Sequence, residues 1–148
     1  MARSSPEPCV LIVEDNERFG KMLGDALNDM ELEARHVTTA EAAYELIRSA
    51  PPGTYPVIML DNHLGKGMYG IDLMHKLSDE KLLDESRIVK VVWTSTDTEV
   101  EGLWRFPRQM HNAEHGSNDT SVEELAWMAS QFMPTRIVEE SSAAASSY

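Results

Sequence analysis

The sequence predicts an α/β fold with a doubly wound parallel sheet, and three observations support this prediction. Short apolar runs, most clearly residues 10–13 and 57–60, are bounded by acids or turn residues, which is typical of strands buried inside a parallel sheet. Segments with apolar residues at helical spacing separate these runs. An alternation of strands and helices implies right-handed crossovers between parallel strands.

The first half of the chain is expected to form three strands and two helices. The strands are predicted at residues 9–14, 33–37 and 57–60. Asn16 is a suitable N-cap for a first helix that continues to about Met30, and Thr39 is one for a second helix. Helical spacing assigns Met22 and Met30 to the core face of the first helix. The second helix must end at the Pro-Pro-Gly segment 51–53, because prolines cannot continue it.

The second half of the chain is less regular. A third helix is predicted at residues 71–77 and a fourth strand at 88–93. Between them, residues 76–86 are polar and are expected to end in a surface loop. After this strand come a short helix candidate at 98–104 and a poor strand candidate at 108–112, in which only Met110 is clearly apolar. Ser121 is a suitable N-cap for a last helix, which Pro134 ends. The region between the fourth strand and the last helix is therefore expected to be shortened or irregular.

Composition and charge exclude several functional classes. The net charge of −12 and the pI near 4.7 argue against binding to nucleic acid, because a phosphate backbone repels an acidic protein. No apolar run approaches the roughly 20 residues of a membrane span, and the first residues lack the apolar core of a signal peptide. Cys9 is the only cysteine, so an intrachain disulfide is excluded. We expect a cytoplasmic protein with one domain at residues 9–133, flexible ends at 1–8 and 134–148, and no nucleic-acid or membrane partner.

Carboxylates follow two predicted strands at the point where each strand ends. Glu14 and Asp15 follow the first strand and Asp61 follows the third, and ligands of parallel sheets bind at this edge. Three carboxylates that converge there would form an oxygen-lined pocket suited to Mg²⁺. A carboxylate beside bound Mg²⁺ can accept a phosphoryl group, and the hydroxyl of Thr94 or Ser95, after the fourth strand, would lie on the same rim. The residues therefore predict a magnesium-dependent phosphoryl acceptor.

Three segments, in this order, carry a resemblance to a known family. Residues 10–16 (Val-Leu-Ile-Val-Glu-Asp-Asn), 57–61 (Val-Ile-Met-Leu-Asp) and 91–95 (Val-Val-Trp-Thr-Ser) resemble the receiver domain of bacterial response regulators, the CheY-like domain of two-component systems. The resemblance covers residues 9–93 well and 94–132 loosely. It implies a parallel five-stranded sheet with flavodoxin-like (receiver) topology, here with a shortened or irregular region at the fourth helix and fifth strand.

The same resemblance implies a role for each site residue. Asp61 would be the phosphoacceptor. Glu14 and Asp15 would bind Mg²⁺ together with Asp61, and His63 would offer its backbone carbonyl to the metal. Thr94 would be the switch hydroxyl that moves towards the phosphoryl group.

The function implied is that of a single-domain response regulator. Asp61 would take a phosphoryl group from a sensor histidine kinase or a histidine phosphotransfer protein in a Mg²⁺-dependent reaction. The chain would be a signalling phosphoprotein and not an enzyme, although it would catalyse its own phosphoryl transfer and dephosphorylation. Too few residues remain for an output domain, so we expect output through contacts with an unidentified downstream protein, or action as a phosphate sink.

One feature of the family is missing. Receivers carry a lysine at the end of the fifth strand, whose place we expect near Asn118, but no lysine follows Lys90. Arg105 or Arg108 is a candidate substitute, although a planar guanidinium is not equivalent to an ammonium group. The missing lysine favours an alternative, a pseudo-receiver that works as a protein-interaction module without phosphorylation. A magnesium phosphatase of the haloacid dehalogenase type is disfavoured, because residues 14–16 do not supply its Asp-x-Asp motif.

Overall fold

A computed structural model describes residues 7–65, 67–95, 110–112 and 121–134 of the chain. These residues contain ten secondary-structure elements. The strands are β1 (Cys9–Val13), β2 (Glu33–Val37), β3 (Val57–Leu60), β4 (Lys90–Trp93) and β5 (Met110–Asn112). The helices are α1 (Glu17–Asp29), α2 (Ala40–Ser49), α3 (Gly70–Asp79), α4 (Leu82–Glu85) and α5 (Val122–Ser130).

The strands form one parallel sheet in the order β2-β1-β3-β4-β5. This is the flavodoxin-like order, in which β2 and β3 lie on opposite sides of β1. The winding therefore reverses at β1, and a crevice opens beyond the carboxyl ends of β1 and β3. The predicted doubly wound, five-stranded sheet is confirmed.

The composition of β1 and β3 explains why they lie at the centre of the sheet. Both read as continuous apolar runs, and every residue of β3 and of residues 10–13 in β1 is buried. A strand that is covered on both faces needs an apolar side chain at each position. The outer strand β2 alternates exposed and partly buried residues instead.

Helices cover both faces of the sheet and divide the core into two halves. On one face, α2 and α3 pack against alternate strand residues such as Leu11, Leu60 and Trp93. On the other face, α1 and α5 pack against the intervening residues, among them Met59 and Val92. This division follows from the two-residue period of a strand. Trp93, at the end of β4, is fully buried in the first half.

Three predicted helix N-caps are confirmed. The side chains of Asn16, Thr39 and Ser121 each accept a hydrogen bond from the backbone N–H three residues later, at 2.9, 3.0 and 3.1 Å. Glu124 completes a capping box, because its carboxylate accepts a hydrogen bond from the Ser121 N–H. The first two caps begin α1 and α2 close to the carboxyl ends of β1 and β2.

The prediction that Met22 and Met30 belong to the core is wrong. Their side chains are 44% and 36% exposed. The buried stripe of α1 consists of Gly20, Leu23 and Leu27, at spacings of three and four residues. The two methionines flank this stripe, and one sheet face covers too narrow an arc of the helix to bury them.

Residues 76–86, predicted to be polar and to end in a surface loop, are mostly helical and end in a turn at Ser86. Helix α3 continues to Asp79, and α4 follows it, with Leu83 buried against the core. The apolar side chain of Leu83 holds this otherwise polar segment on the domain.

The poor strand candidate at 108–112 contains a real strand, β5. Residues 110–112 pair in parallel with β4, and Asn112 lies opposite Trp93. The helix candidate at 98–104 lies outside the described residues, as do residues 1–6 and 135–148, so the flexible ends stay a prediction. Within the part of the chain that the structure describes, no helix has the length and apolar character needed to cross a bilayer.

Candidate functional site

The aligned ends of three strands create the site. Val13 of β1 lies opposite Leu60 of β3, which in turn lies opposite Trp93 of β4. The next residue along each strand therefore reaches the same edge of the sheet. Backbone hydrogen bonds extend this alignment past the strands, because the N–H of Asp61 donates to Val13 O at 3.1 Å and the N–H of Thr94 donates to Leu60 O at 2.9 Å.

The structure brings together the three carboxylates that the sequence singles out. One carboxylate oxygen each of Glu14, Asp15 and Asp61 lies within 4.8 Å of the other two. Glu14 is buried, Asp61 is partly exposed and Asp15 is exposed. The pocket is therefore closed at the Glu14 side and open to solvent at the Asp15 side.

The pKa of the Glu14 carboxyl group lies well above its ordinary value. Burial, and then the negative charge of Asp61, raise its pKa from 4.5 to about 8. Its side chain is only 6% exposed. A hydrogen bond from the backbone N–H of Asn16, at 3.2 Å, acts in the opposite direction, but it does not offset the lost hydration.

The pKa of Asp61 is also above its ordinary value. Burial is the main cause, and the charge of Asp15 adds to it. Hydrogen bonds from the Asn62 backbone and the Ser95 side chain lower the pKa and partly compensate. Asp61 is thus a partly exposed carboxylate that accepts hydrogen bonds from two donors.

Of the two predicted hydroxyl residues, Ser95 is the one that contacts Asp61 through its side chain. Ser95 is 5% exposed, and its side chain makes a hydrogen bond with the Asp61 carboxylate. Thr94 is held through its backbone N–H at the end of β4 and is partly exposed. The role of Thr94 as the switch hydroxyl stays a prediction.

A loop from β3 to α3 borders the pocket and is fixed at its two ends. The buried side chain of Asn62 accepts a hydrogen bond from the N–H of Ile71 at 3.0 Å. The backbone carbonyl of Asn62 accepts one from the N–H of Gly70 at 2.9 Å. Position 70 requires glycine, because a Cβ there would stand 2.2 Å from the carbonyl oxygen of Asp61. The start of α3 is therefore pressed against the backbone of the predicted phosphoacceptor.

His63 lies in this loop, two residues after Asp61. Its ring is exposed and lies 5.5 Å from the Tyr69 ring, centroid to centroid. The structure places it beside the pocket, and the predicted role of its backbone carbonyl as a metal ligand stays a prediction.

His36 is a site residue that the sequence does not reveal. Its Nε2 atom lies 2.7 Å from the backbone carbonyl oxygen of Glu14, so this nitrogen carries the hydrogen and donates it. The ring occupies the space over Gly20 of α1, where a Cβ would stand 2.2 Å from it. His36 therefore supports the backbone that carries the acidic pair. A glycine inside a strongly amphipathic helix was the one available signal of this close contact.

The donor set of the pocket fits a magnesium ion. Carboxylate oxygens are hard ligands, and one exposed side leaves room for the waters that Mg²⁺ retains. Burial first, and then the charge of a neighbouring acid, raise the pKa of both Glu14 and Asp61, and a bound cation would relieve the repulsion between the acids. Elsewhere among the described residues, no other three Asp, Glu, His or Cys side chains converge in this way.

The expected place of the family lysine, near Asn118, lies outside the described residues, as do the two candidate substitutes Arg105 and Arg108. The absence of a lysine after Lys90 is a property of the sequence. Which group takes the place of the lysine stays a prediction.

Comparison with known proteins gives a consistent result at the level of structure alone. No protein-family model matches the sequence, and no curated protein matches it. Solved structures do match. The receiver domain of the Francisella response regulator 1452 has a TM-score of 0.65 at 16% identity, over 85% of this chain and 96% of that one.

Two further structures agree with this match. A CheY-like response regulator receiver domain protein from Methanospirillum hungatei JF-1 has a TM-score of 0.66 at 19% identity, over 86% of this chain and 94% of that one. The chemotaxis protein CheY4 of Vibrio cholerae has a TM-score of 0.63 at 16% identity, over 84% of this chain and 98% of that one. The chain therefore has the fold of the CheY-like receiver domains of response regulators.

Proposed function

We propose that the chain is a response regulator receiver that accepts a phosphoryl group on Asp61. The donor would be a sensor histidine kinase or a histidine phosphotransfer protein, and the reaction would require Mg²⁺. Output would pass through contacts with another protein, or the chain would drain phosphoryl groups from its donor. In this role it turns over no external substrate and is not an enzyme in the usual sense.

One observation carries the proposal. The carboxylates of Glu14, Asp15 and Asp61 converge within 4.8 Å at the crevice where β1 and β3 end. Ligands of open parallel sheets bind at this switch point. A cluster of acids that repel one another is costly unless a cation binds between them. Of the three, Asp61 accepts hydrogen bonds from the Asn62 backbone and the Ser95 side chain and remains partly exposed.

The chemistry follows from these positions. An oxygen of Asp61 attacks the phosphorus of the donor, a P–O bond forms, and the bond from phosphorus to the donor nitrogen breaks. The imidazole of the donor leaves with the electron pair and takes up a proton. A bound Mg²⁺ would supply positive charge to the phosphoryl oxygens. Asp15, on the open side, and Glu14, on the closed side, would hold it, while the Ser95 hydroxyl and the Asn62 N–H orient the Asp61 carboxylate.

The test is the intact mass of the protein after incubation with acetyl phosphate and MgCl₂. We expect the mass of one phosphoryl group to be added to the wild type and to Asp84→Asn, which removes an exposed acid of α4 outside the cluster. We expect no addition to Asp61→Asn or without Mg²⁺. Release of inorganic phosphate, followed in parallel, detects a phosphoryl group that is lost too quickly to be weighed.

The pseudo-receiver is the second candidate function, because no lysine follows Lys90. In this case the fold would serve only to bind another protein. Neither added mass nor phosphate release above the Asp61→Asn background would then be observed, and this result would contradict the proposal.

A further inference from the structure

The middle of the β3–α3 loop is bound to a helix that contributes no carboxylate to the acid cluster. The backbone N–H of Met68 donates to Oε2 of Glu41 at 3.1 Å. A Cβ at Gly67 would stand 3.0 Å from the same oxygen, so the loop backbone lies directly against this carboxylate. Glu41 belongs to the first turn of α2, where the helix dipole favours an acid. One side chain thus connects α2 to two successive loop residues.

The same loop passes along the acid cluster. At Gly65 a Cβ would lie 3.7 Å from Oδ2 of Asp15. The loop begins at Asn62, directly after Asp61, and contains His63, whose carbonyl is the predicted fourth metal ligand. If the loop were displaced, the backbone segments that lie next to Asp15 and Asp61 would shift with it.

The loop does not hold this shape by its own stiffness. Gly65 and Gly67 have φ values of +72° and +99°, a region that glycine enters easily and also leaves easily. Glycines add to the conformational freedom that must be lost when a segment is ordered. Contacts from outside must supply the order. The side chain of Leu64 is buried in the core and that of Met68 packs against it. The backbone at Gly67 and Met68 lies against the exposed carboxylate of Glu41.

We propose that Glu41 is a positioning residue for the acidic site. Its carboxylate holds the β3–α3 loop beside Asp15, and through the loop it sets the affinity for Mg²⁺ and the rate at which Asp61 is phosphorylated. This inference rests on the proposed function for the second effect only. The essential property of Glu41 in this role is its hydrogen-bond acceptor. Glutamine retains an acceptor and should preserve the role, whereas alanine has none and should not.

The experiment compares Glu41→Ala, Glu41→Gln and the control Glu45→Ala. Glu45 lies one turn later on α2 and pairs with Arg48 at 2.6 Å, so its removal takes the same charge from the same helix without touching the loop. Three quantities are measured: exchange of the Met68 amide hydrogen by NMR, the Kd for Mg²⁺, and the rate of phosphorylation by acetyl phosphate.

We expect Glu41→Ala to speed exchange at Met68 and to weaken Mg²⁺ binding about fivefold to tenfold, which corresponds to one hydrogen bond of about 1 kcal/mol. The phosphorylation rate at limiting Mg²⁺ should fall by a similar factor. Glu41→Gln and Glu45→Ala should stay within about twofold of the wild type, since neither loses a hydrogen bond to the loop.

Two results would overturn the inference. If Glu41→Gln weakened Mg²⁺ binding as much as Glu41→Ala, the charge of Glu41 would be responsible and not its position. If Glu41→Ala released the Met68 amide without changing Mg²⁺ affinity, the loop would not control the site. A wild type that is never phosphorylated would refute the proposed function, while the exchange and Mg²⁺ measurements would still test the inference.

Discussion

Two opposing effects act on the Asp61 carboxylate. Burial and the neighbouring acid raise its pKa, whereas the Asn62 N–H and the Ser95 hydroxyl lower it. The donors therefore favour the ionised form in a place where an isolated carboxylate would be costly, although the pKa remains raised overall. An ionised carboxylate is the form that attacks phosphorus, so these donors bear directly on the proposed reaction.

Replacement of Ser95 by alanine is expected to raise the pKa of Asp61, because it removes a hydrogen bond to the ionised form. The measurement is the carboxyl ¹³C shift of Asp61 as a function of pH in the metal-free protein. Thr94→Ala is the control, since it retains the Ser95 hydroxyl. An equal change of pKa in both variants would show that the hydroxyl of Ser95 has no special relation to Asp61.

The contact between helix α1 and strand β2 supports the backbone that carries Glu14. Gly20 leaves room for the His36 ring, and that ring donates to the carbonyl of Glu14. The imidazole of His36 therefore connects α1, β2 and the backbone at Glu14. Gly24, one turn later, has no such neighbour, because a Cβ there would meet only Ile12, at 3.8 Å.

These two glycines give opposite predictions. Gly20→Ala should lower the free energy of unfolding by about 1–3 kcal/mol, because its methyl group must displace the His36 ring. Gly24→Ala should raise it by about 0.5–1 kcal/mol, because alanine favours the helix and fits the available space. Urea unfolding at fixed pH measures both values.

A second variant tests whether the His36 ring causes the loss of stability expected for Gly20→Ala. In a His36→Ala background, the ring is absent, and Gly20→Ala should no longer destabilise the protein. A loss of the same size in both backgrounds would mean that His36 is not the group displaced.

At the scale of the whole molecule, the metal-free protein carries an unfavourable concentration of negative charge. The net charge is −12, and three acids converge at one edge of the sheet. The pKa of Glu14 is raised from 4.5 to about 8, so the folded chain holds this proton more tightly than the unfolded chain does. The stability that this proton contributes is fully present below pH 4.5 and is lost as the pH rises towards about 8.

We therefore expect the free energy of unfolding of the metal-free protein to fall with rising pH between these two values. The contribution of Glu14 has a slope of up to about 1.4 kcal/mol per pH unit. Urea unfolding across this window, on the wild type and on Glu14→Gln, isolates it, because glutamine does not titrate. Parallel curves for the two proteins would exclude the Glu14 carboxyl as the source.

Added Mg²⁺ should act in the opposite direction. Because binding requires deprotonated carboxylates, the stabilisation by Mg²⁺ should grow as the pH rises through about 8 in the wild type. This increase should be smaller in Glu14→Gln.

The centre of the fold and the acidic residues of the site can be recognised from the sequence alone. β1 and β3 are recognisable because strands buried on both faces must be apolar at every position, and the acids follow them directly. The caps Asn16, Thr39 and Ser121 are recognisable because a local hydrogen bond defines them. Such features depend on neighbours in the chain.

Tertiary structure decided whatever depends on distant partners. β5 is a strand because it pairs with β4, and three residues are too few to carry a pattern of their own. Met22 is exposed because a single sheet face buries a narrow stripe of α1. His36 and Glu41 reach the site from β2 and α2, across 22 and 27 residues of sequence, and the contacts that give them a role exist only when the sheet has formed.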